Sequence, residues 1–167
     1  MRSRVKFLGH ALHPMLVVFP LGLLIVAVIF DGIGLATQNG FWATLAFYLI
    51  AAGLLSGVLA ALAGWLDWLT IPQNTRAQTV GLIHGGLNIM VLILFLASWL
   101  LRRFDPPAPS RLALGLSFAG AGLALLGSWL GGELVSRLGV GVDDGAHLDA
   151  PNSLSGQPAN NRRQTIK

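Results

Sequence analysis

The chain of 167 residues contains no cysteine. That absence excludes disulfides, thiolate metal sites, a cysteine nucleophile and a covalently attached c-type haem, and it leaves any metal to histidine and carboxylate. Charge is scarce as well, at 11% Asp, Glu, Lys and Arg, against 54% hydrophobic residues and a mean hydropathy of +0.68. Such a balance is too apolar for a water-soluble globule and predicts an integral membrane protein of one domain. No Gly-rich phosphate loop, Ser/His/Asp set or His-Glu-x-x-His run occurs, so hydrolytic and nucleotide-dependent catalysis has no visible support and an enzymatic role stays open. The net charge of +4 is what a membrane chain carries to set its orientation, and it requires no nucleic-acid partner.

Four apolar stretches reach the roughly 20 helical residues that a hydrocarbon core requires: about 14–36, 41–66, 80–101 and 112–135. The turn Thr37-Gln38-Asn39-Gly40 makes the first two antiparallel neighbours, and Asp105-Pro-Pro-Ala-Pro-Ser110 breaks the chain between the last two. The expected fold is an all-α, up-down-up-down four-helix transmembrane bundle over residues 1–138. The polar remainder, 139–167, has too little apolar content to fold alone and is expected to be a solvated, disordered tail.

Orientation follows the distribution of basic residues near helix ends. Arg2, Arg4, Lys6, Arg76, Arg137, Arg162, Arg163 and Lys167 fall on one side, and only Arg102, Arg103 and Arg111 on the other. This predicts that both termini lie in the cytoplasm. Trp65, Trp68 and Trp129 then mark the cytoplasmic interface, and Trp42 and Trp99 the outer one. The basic N-terminus with its apolar run also resembles a secretory signal, but the run exceeds the usual 7–15 residues and Asp31 precedes the supposed cleavage site. Asp31 itself reads as a hydrated carboxylate at the outer interface. Small-residue seams, Gly53-x-x-x-Gly57 with Ala60 and Gly64, and Gly127-x-x-x-Gly131, serve tight packing within the chain, a homo-oligomer, or room for a flat cofactor.

The two halves echo each other. The first opens Leu12-His13-Pro14 and closes Gly64-Trp65-Leu66-Asp67; the second opens Ile83-His84-Gly85 and closes Trp129-Leu130-Gly131-Gly132-Glu133. A parallel repeat of helical hairpins implies a pseudo-two-fold axis along the membrane normal. It gathers His10, His13, Asp67, His84 and Glu133 in one layer, where ionisable groups point to function. Taken singly each has a plainer reading: His13 opening a helix before Pro14, Asp67 paired with Arg76, Glu133 paired with Arg137 at i,i+4. His10 and His13 would share a face only if the helix began before Pro14. Asn88, one turn beyond His84, faces the same way, and Gly85-Gly86 gives a flat ligand access to the backbone. His147, behind Asp143-Asp144, reads as a solvated tail residue.

Two chemistries follow. His13 and His84, related by the pseudo-axis, serve as axial ligands of a b-type haem, with Asp67 and Glu133 orienting them; or His and carboxylate groups bind a divalent metal ion. Symmetry favours haem, because bis-histidine ligation uses two equivalent residues and a mixed metal site does not.

His13-Pro14 with Pro20, the Gly64-Trp65-Leu66-Asp67 close, His84 with Asn88, and Gly131-Gly132-Glu133-Leu134-Val135 before Gly139-Val-Gly-Val142 together resemble a family of small bacterial four-helix membrane proteins catalogued as a domain of unknown function. The resemblance spans about 9–142. It implies a b-type cytochrome domain in membrane electron transfer, some members being joined to Rieske-type iron–sulfur domains. Without cysteine, an iron–sulfur centre here would come from a partner. The expected function is therefore a haem b membrane redox protein serving a partner protein or quinone, and the alternative is a non-redox structural, assembly, metal-binding or transport element.

Overall fold

The computed structural model describes residues 3–161. Arg2, Arg162, Arg163 and Lys167, four of the basic residues that argue for orientation, lie outside the described residues. Four helices carry the fold: α1 (Leu12–Thr37), α2 (Gly40–Trp68), α3 (Arg76–Arg102) and α4 (Arg111–Ser136). All four are long and apolar enough to cross a membrane. Before them Lys6–Phe7 (β1) and His10–Ala11 (β2) pair antiparallel around Leu8-Gly9, both at positive φ, the backbone of a two-residue hairpin turn.

Helix limits follow local chemistry. The first amide of α1 donates to Val5 O, just before β1 (2.9 Å), and Pro14 falls in the first turn, where its missing N–H costs nothing. Gln38 ends the helix in the left-handed conformation. Side chains of Asn39, Thr75 and Ser110 cap α2, α3 and α4 by accepting backbone N–H bonds. The Thr75 cap starts α3 at Arg76 and not near residue 80, because Arg76-Ala-Gln-Thr79 is polar yet has no helix breaker.

The helices pair in sequence order: α1 lies along α2 and α3 along α4, with lighter contact of α2 on α3 and of α1 on α4. Glycine makes the close approach. A Cβ on Gly53 would stand 2.6 Å from Leu24, and one on Gly120 would stand 2.8 Å from Phe95. The Gly53/Gly57 and Gly127/Gly131 faces are thus taken up inside the chain, against Leu24, Leu92, Asn88 and His84, which removes the basis for assigning them to a homo-oligomer. Leu24, Ala27, Ala46, Ile50, Val91, Phe95 and Ala124 form the core. Large apolar side chains such as Val18, Leu55, Leu82 and Leu125 face outward, as a lipid-facing surface requires.

The packing carries the repeat that the sequence only hints at. The 71-residue step from His13 to His84 also takes Leu24 to Phe95, and a 67-residue step on the other pair of helices takes Gly53 to Gly120 and Gly64 to Gly131, so each half seats the same knob in the same hole. Carried further along the first pair, the 71-residue step takes Asp31 to Arg102. These two lie buried at the far end of the bundle, each 1% exposed. Arg102 Nη1 and Nη2 donate to Asp31 Oδ1 and Oδ2 (2.9 and 3.1 Å). Nη2 also reaches Ser98 Oγ (3.0 Å) and Ser117 Oγ (2.9 Å). Asp31 is therefore no hydrated interfacial acid, because Arg102 from the other hairpin neutralises it in the interior.

Past α4 the chain turns at Gly139 (φ 64) and runs as turns, with one 3-10 turn at Ser153–Ser155. It lies against the N-terminal hairpin: Lys6 Nζ meets Asp143 Oδ1 at 2.5 Å, and Gly9 stands so near Ser153 that a Cβ there would have no room.

Candidate functional site

His13 is the second residue of α1 and His84 the ninth of α3, since α3 begins earlier than its apolar run. They nevertheless meet, at the end of the bundle that carries the chain's N-terminus. Each ring is held by its own hairpin. His13 Nδ1 donates to Ala60 O on α2 (2.8 Å), and His84 Nδ1 donates to Gly127 O on α4 (2.9 Å). A carbonyl only accepts, so Nδ1 is the donor in both rings, and Nε2 is the ring nitrogen left over for another partner.

Glycine sets how closely each ring lies on its neighbour. A Cβ on Gly64 would meet His13 ring atoms at 2.8 Å, and one on Gly131 would meet His84 Cε1 at 3.2 Å. Ala60 and Gly64 on α2, and Gly127 and Gly131 on α4, form one cradle used twice. The two rings face each other across the interface between hairpins, centroids 6.3 Å apart and planes at 89°. Beside His84, the Cβ positions of Gly85 and Gly86 have nothing within 4 Å, and the same is true of Gly132 on α4.

The remaining expected residues divide. Asn88 belongs to the site: its Nδ2 donates to His84 O (2.8 Å), lies 3.3 Å from His84 Nε2, and its amide covers Gly127. His10 does not. It sits on β2, exposed, with Nδ1 3.2 Å from Leu8 O, because the helix starts only at Leu12 and no shared face forms with His13.

The acids do not orient the histidines. Asp67 accepts from Ser3 Oγ (2.7 and 2.8 Å), Arg4 N (2.8 Å) and Val5 N (3.2 Å), clamping the N-terminal segment to the end of α2. Glu133 takes Arg76 Nη2 at 2.6 Å, so neither the Asp67–Arg76 nor the Glu133–Arg137 pairing is the one that forms. The packing explains the mismatch: Gly64 is equivalent to Gly131, so Asp67 falls opposite Leu134 and the two acids are not related by the repeat. His147 Nδ1 accepts from Asp149 N within the tail (3.3 Å). Among the described residues no three His, Cys, Asp or Glu side chains converge.

The model of the DUF2231 family, described as a predicted membrane protein, matches residues 9–144. The chain belongs to that family. The match runs from the turn before α1 to just beyond α4, and so contains both histidines, both glycine cradles and the Asp31–Arg102 pair. The DUF2231 description names a membrane protein and no cofactor. No curated protein and no solved structure matched the chain.

Sequence reasoning missed three participants. The carbonyls of Ala60 and Gly127 have no side-chain signature, although their place one turn before Gly64 and Gly131 is a regularity of the repeat. Arg102 was visible only as a basic residue on the wrong side of the orientation count.

Proposed function

We propose that this chain is a membrane redox protein that holds a b-type haem between His13 and His84 and exchanges electrons with a partner protein or quinone. The observation that carries the reading is the pair itself: two imidazoles, one from each hairpin, 6.3 Å apart, each with Nδ1 tied to a backbone carbonyl. The two imidazoles would hold the group from opposite hairpins, one ring nitrogen from each.

The donor set also favours haem over a bare divalent ion. A structural zinc site takes four protein ligands and a catalytic one three, while magnesium and calcium take oxygens. Two neutral imidazoles alone suit a group that brings its other four nitrogens with it. Bound haem supplies one-electron chemistry at the iron.

The protein's part is positioning. The Ala60 and Gly127 carbonyls fix the tautomer and ring plane and make each Nε2 a stronger donor, the usual role of a group behind a ligating histidine. Gly64 and Gly131 let the rings settle against α2 and α4, and Asn88 fixes the turn that carries His84. Exposed Arg4 and Arg137 stand near that end of the bundle, where an anionic group is favoured. The excess of basic residues on the same side supports a cytoplasmic location for both termini, in a bacterial inner membrane.

Purification of the full chain in mild detergent tests the reading. A Soret band with sharp α and β bands on dithionite reduction is expected. Colourless protein carrying stoichiometric zinc or iron by elemental analysis would favour the non-redox metal-binding alternative.

A further inference from the structure

We infer that Asp31 and Arg102 form a pairing key, which makes the first hairpin select the second hairpin over a copy of itself. They are the two most deeply buried ionisable side chains among the described residues, both with 0% side-chain exposure, and they stand 71 residues apart, the same step that relates His13 to His84. The repeat therefore places opposite charges at equivalent positions. Two first hairpins packed together would bury two carboxylates at that layer, and two second hairpins would bury two guanidinium groups.

The hairpins need such a device. The two hairpins share one internal packing, Leu24 in Gly53 and Phe95 in Gly120, so they are bodies of similar build and a difference in charge is what sets them apart. In lipid, apolar surface gives no preference between partners, and association rests on packing and polar contacts. The first hairpin is also synthesised before the second, so its partner is absent when it is made. Unlike charges held on equivalent positions settle the choice, much as a single polar residue fixes the partner in a coiled coil.

The surroundings of the pair show which half is built around its charge. The step along α1 and α3 takes Ala27 to Ser98, and the shorter one along α2 and α4, which takes Gly53 to Gly120, takes Ile50 to Ser117. The second hairpin thus replaces two apolar residues by hydroxyls that accept from Arg102 and pass their own hydrogens to Ala113 O (2.7 and 3.0 Å). The first hairpin gives its acid no such shell and relies on the arginine across the interface.

The test uses full chains carrying two different affinity tags, co-expressed and sized in detergent. Asp31→Arg alone and Arg102→Asp alone should each lose the monomer. Co-expressed, they should give a folded dimer by exchanging hairpins, since each chain then offers the charge that the other lacks, and the two tags should co-purify. A chain with Asp31→Leu and Arg102→Met together should still fold, because apolar packing replaces the pair, but its differently tagged copies should co-purify, because nothing then tells the two hairpins apart. The inference is overturned if either single reversal remains a wild-type monomer, if the complementary pair co-purifies no better than Asp31→Arg with itself, if differently tagged copies of the neutral double variant never co-purify, or if that variant fails to fold. The last outcome would show that the pair serves stability and not selection. None of these readouts depends on a bound group, so failure here leaves the haem reading untouched, and the reverse holds too.

Discussion

His13 and His84 come from different hairpins and face each other 6.3 Å apart, and neither makes its ring bond to an acid. Their Nδ1 partners are the carbonyls of Ala60 and Gly127, each on the second helix of the same hairpin. The site is thus assembled from two equivalent half-sites, and its geometry depends on glycine contacts within hairpins and on contact between them.

The glycine behind each ring should matter in proportion to the space it leaves. Gly64→Ala places a methyl group 2.8 Å from His13 ring atoms, whereas Gly131→Ala meets His84 at 3.2 Å. Overpacking of this kind costs about 1–3 kcal/mol, so Gly64→Ala should lower the melting temperature in detergent and reduce bound pigment more than Gly131→Ala. Gly86→Ala, with nothing within 4 Å of its Cβ position, should leave the fold unaffected, and a loss there equal to that of Gly64→Ala would refute the cradle.

Removing one member of the buried pair should be costly. Arg102→Ala leaves the Asp31 carboxylate without its bidentate partner in the interior, a change worth about 3–5 kcal/mol. Thermal unfolding followed by helical circular dichroism should show a large drop, far exceeding that of Arg103→Ala at the neighbouring exposed position. Equal melting temperatures for the two variants would mean that Asp31 is not held in the way described.

Asp67 and Glu133 should act on chain ends and loops. Asp67→Ala frees Ser3, Arg4 and Val5 from the end of α2 and should speed proteolysis within the N-terminal segment while sparing the helices. Arg76 is 63% exposed, so Glu133→Gln should change stability by no more than about 1 kcal/mol. Pigment content should be unchanged in both, and loss of pigment in either would restore a role beside the histidines.

Reporter fusions bear on orientation. Alkaline phosphatase should be inactive when fused after Asn161 and active when fused within Asp105–Ser110, as cytoplasmic termini require. The opposite pattern would invert the bundle without altering its helices.

Much of this was legible in the sequence for physical reasons. Four apolar runs of spanning length admit little besides four helices, and the short Thr37–Gly40 turn dictates the first hairpin. The start of α3 was harder, because Thr75 caps a polar turn that hydropathy does not register. The histidines were legible as an echo between halves, yet the acids at the helix ends misaligned it; packing aligns glycines with glycines, which sets Asp67 against Leu134. Asp31 and Arg102 each resemble an ordinary interfacial charge when read alone. Their pairing appears only when the step from His13 to His84 is carried along the helix by about 27 Å, to a position where opposite charges stand in equivalent places.

The most direct test of the central claim is pigment bound per mole of purified protein in four alanine variants: His13→Ala, His84→Ala, His10→Ala and His147→Ala. The account predicts a stoichiometric b-type spectrum in the wild type, its loss in the first two variants and its retention in the last two. Full haem in either His13→Ala or His84→Ala, or loss confined to His10→Ala or His147→Ala, would contradict it.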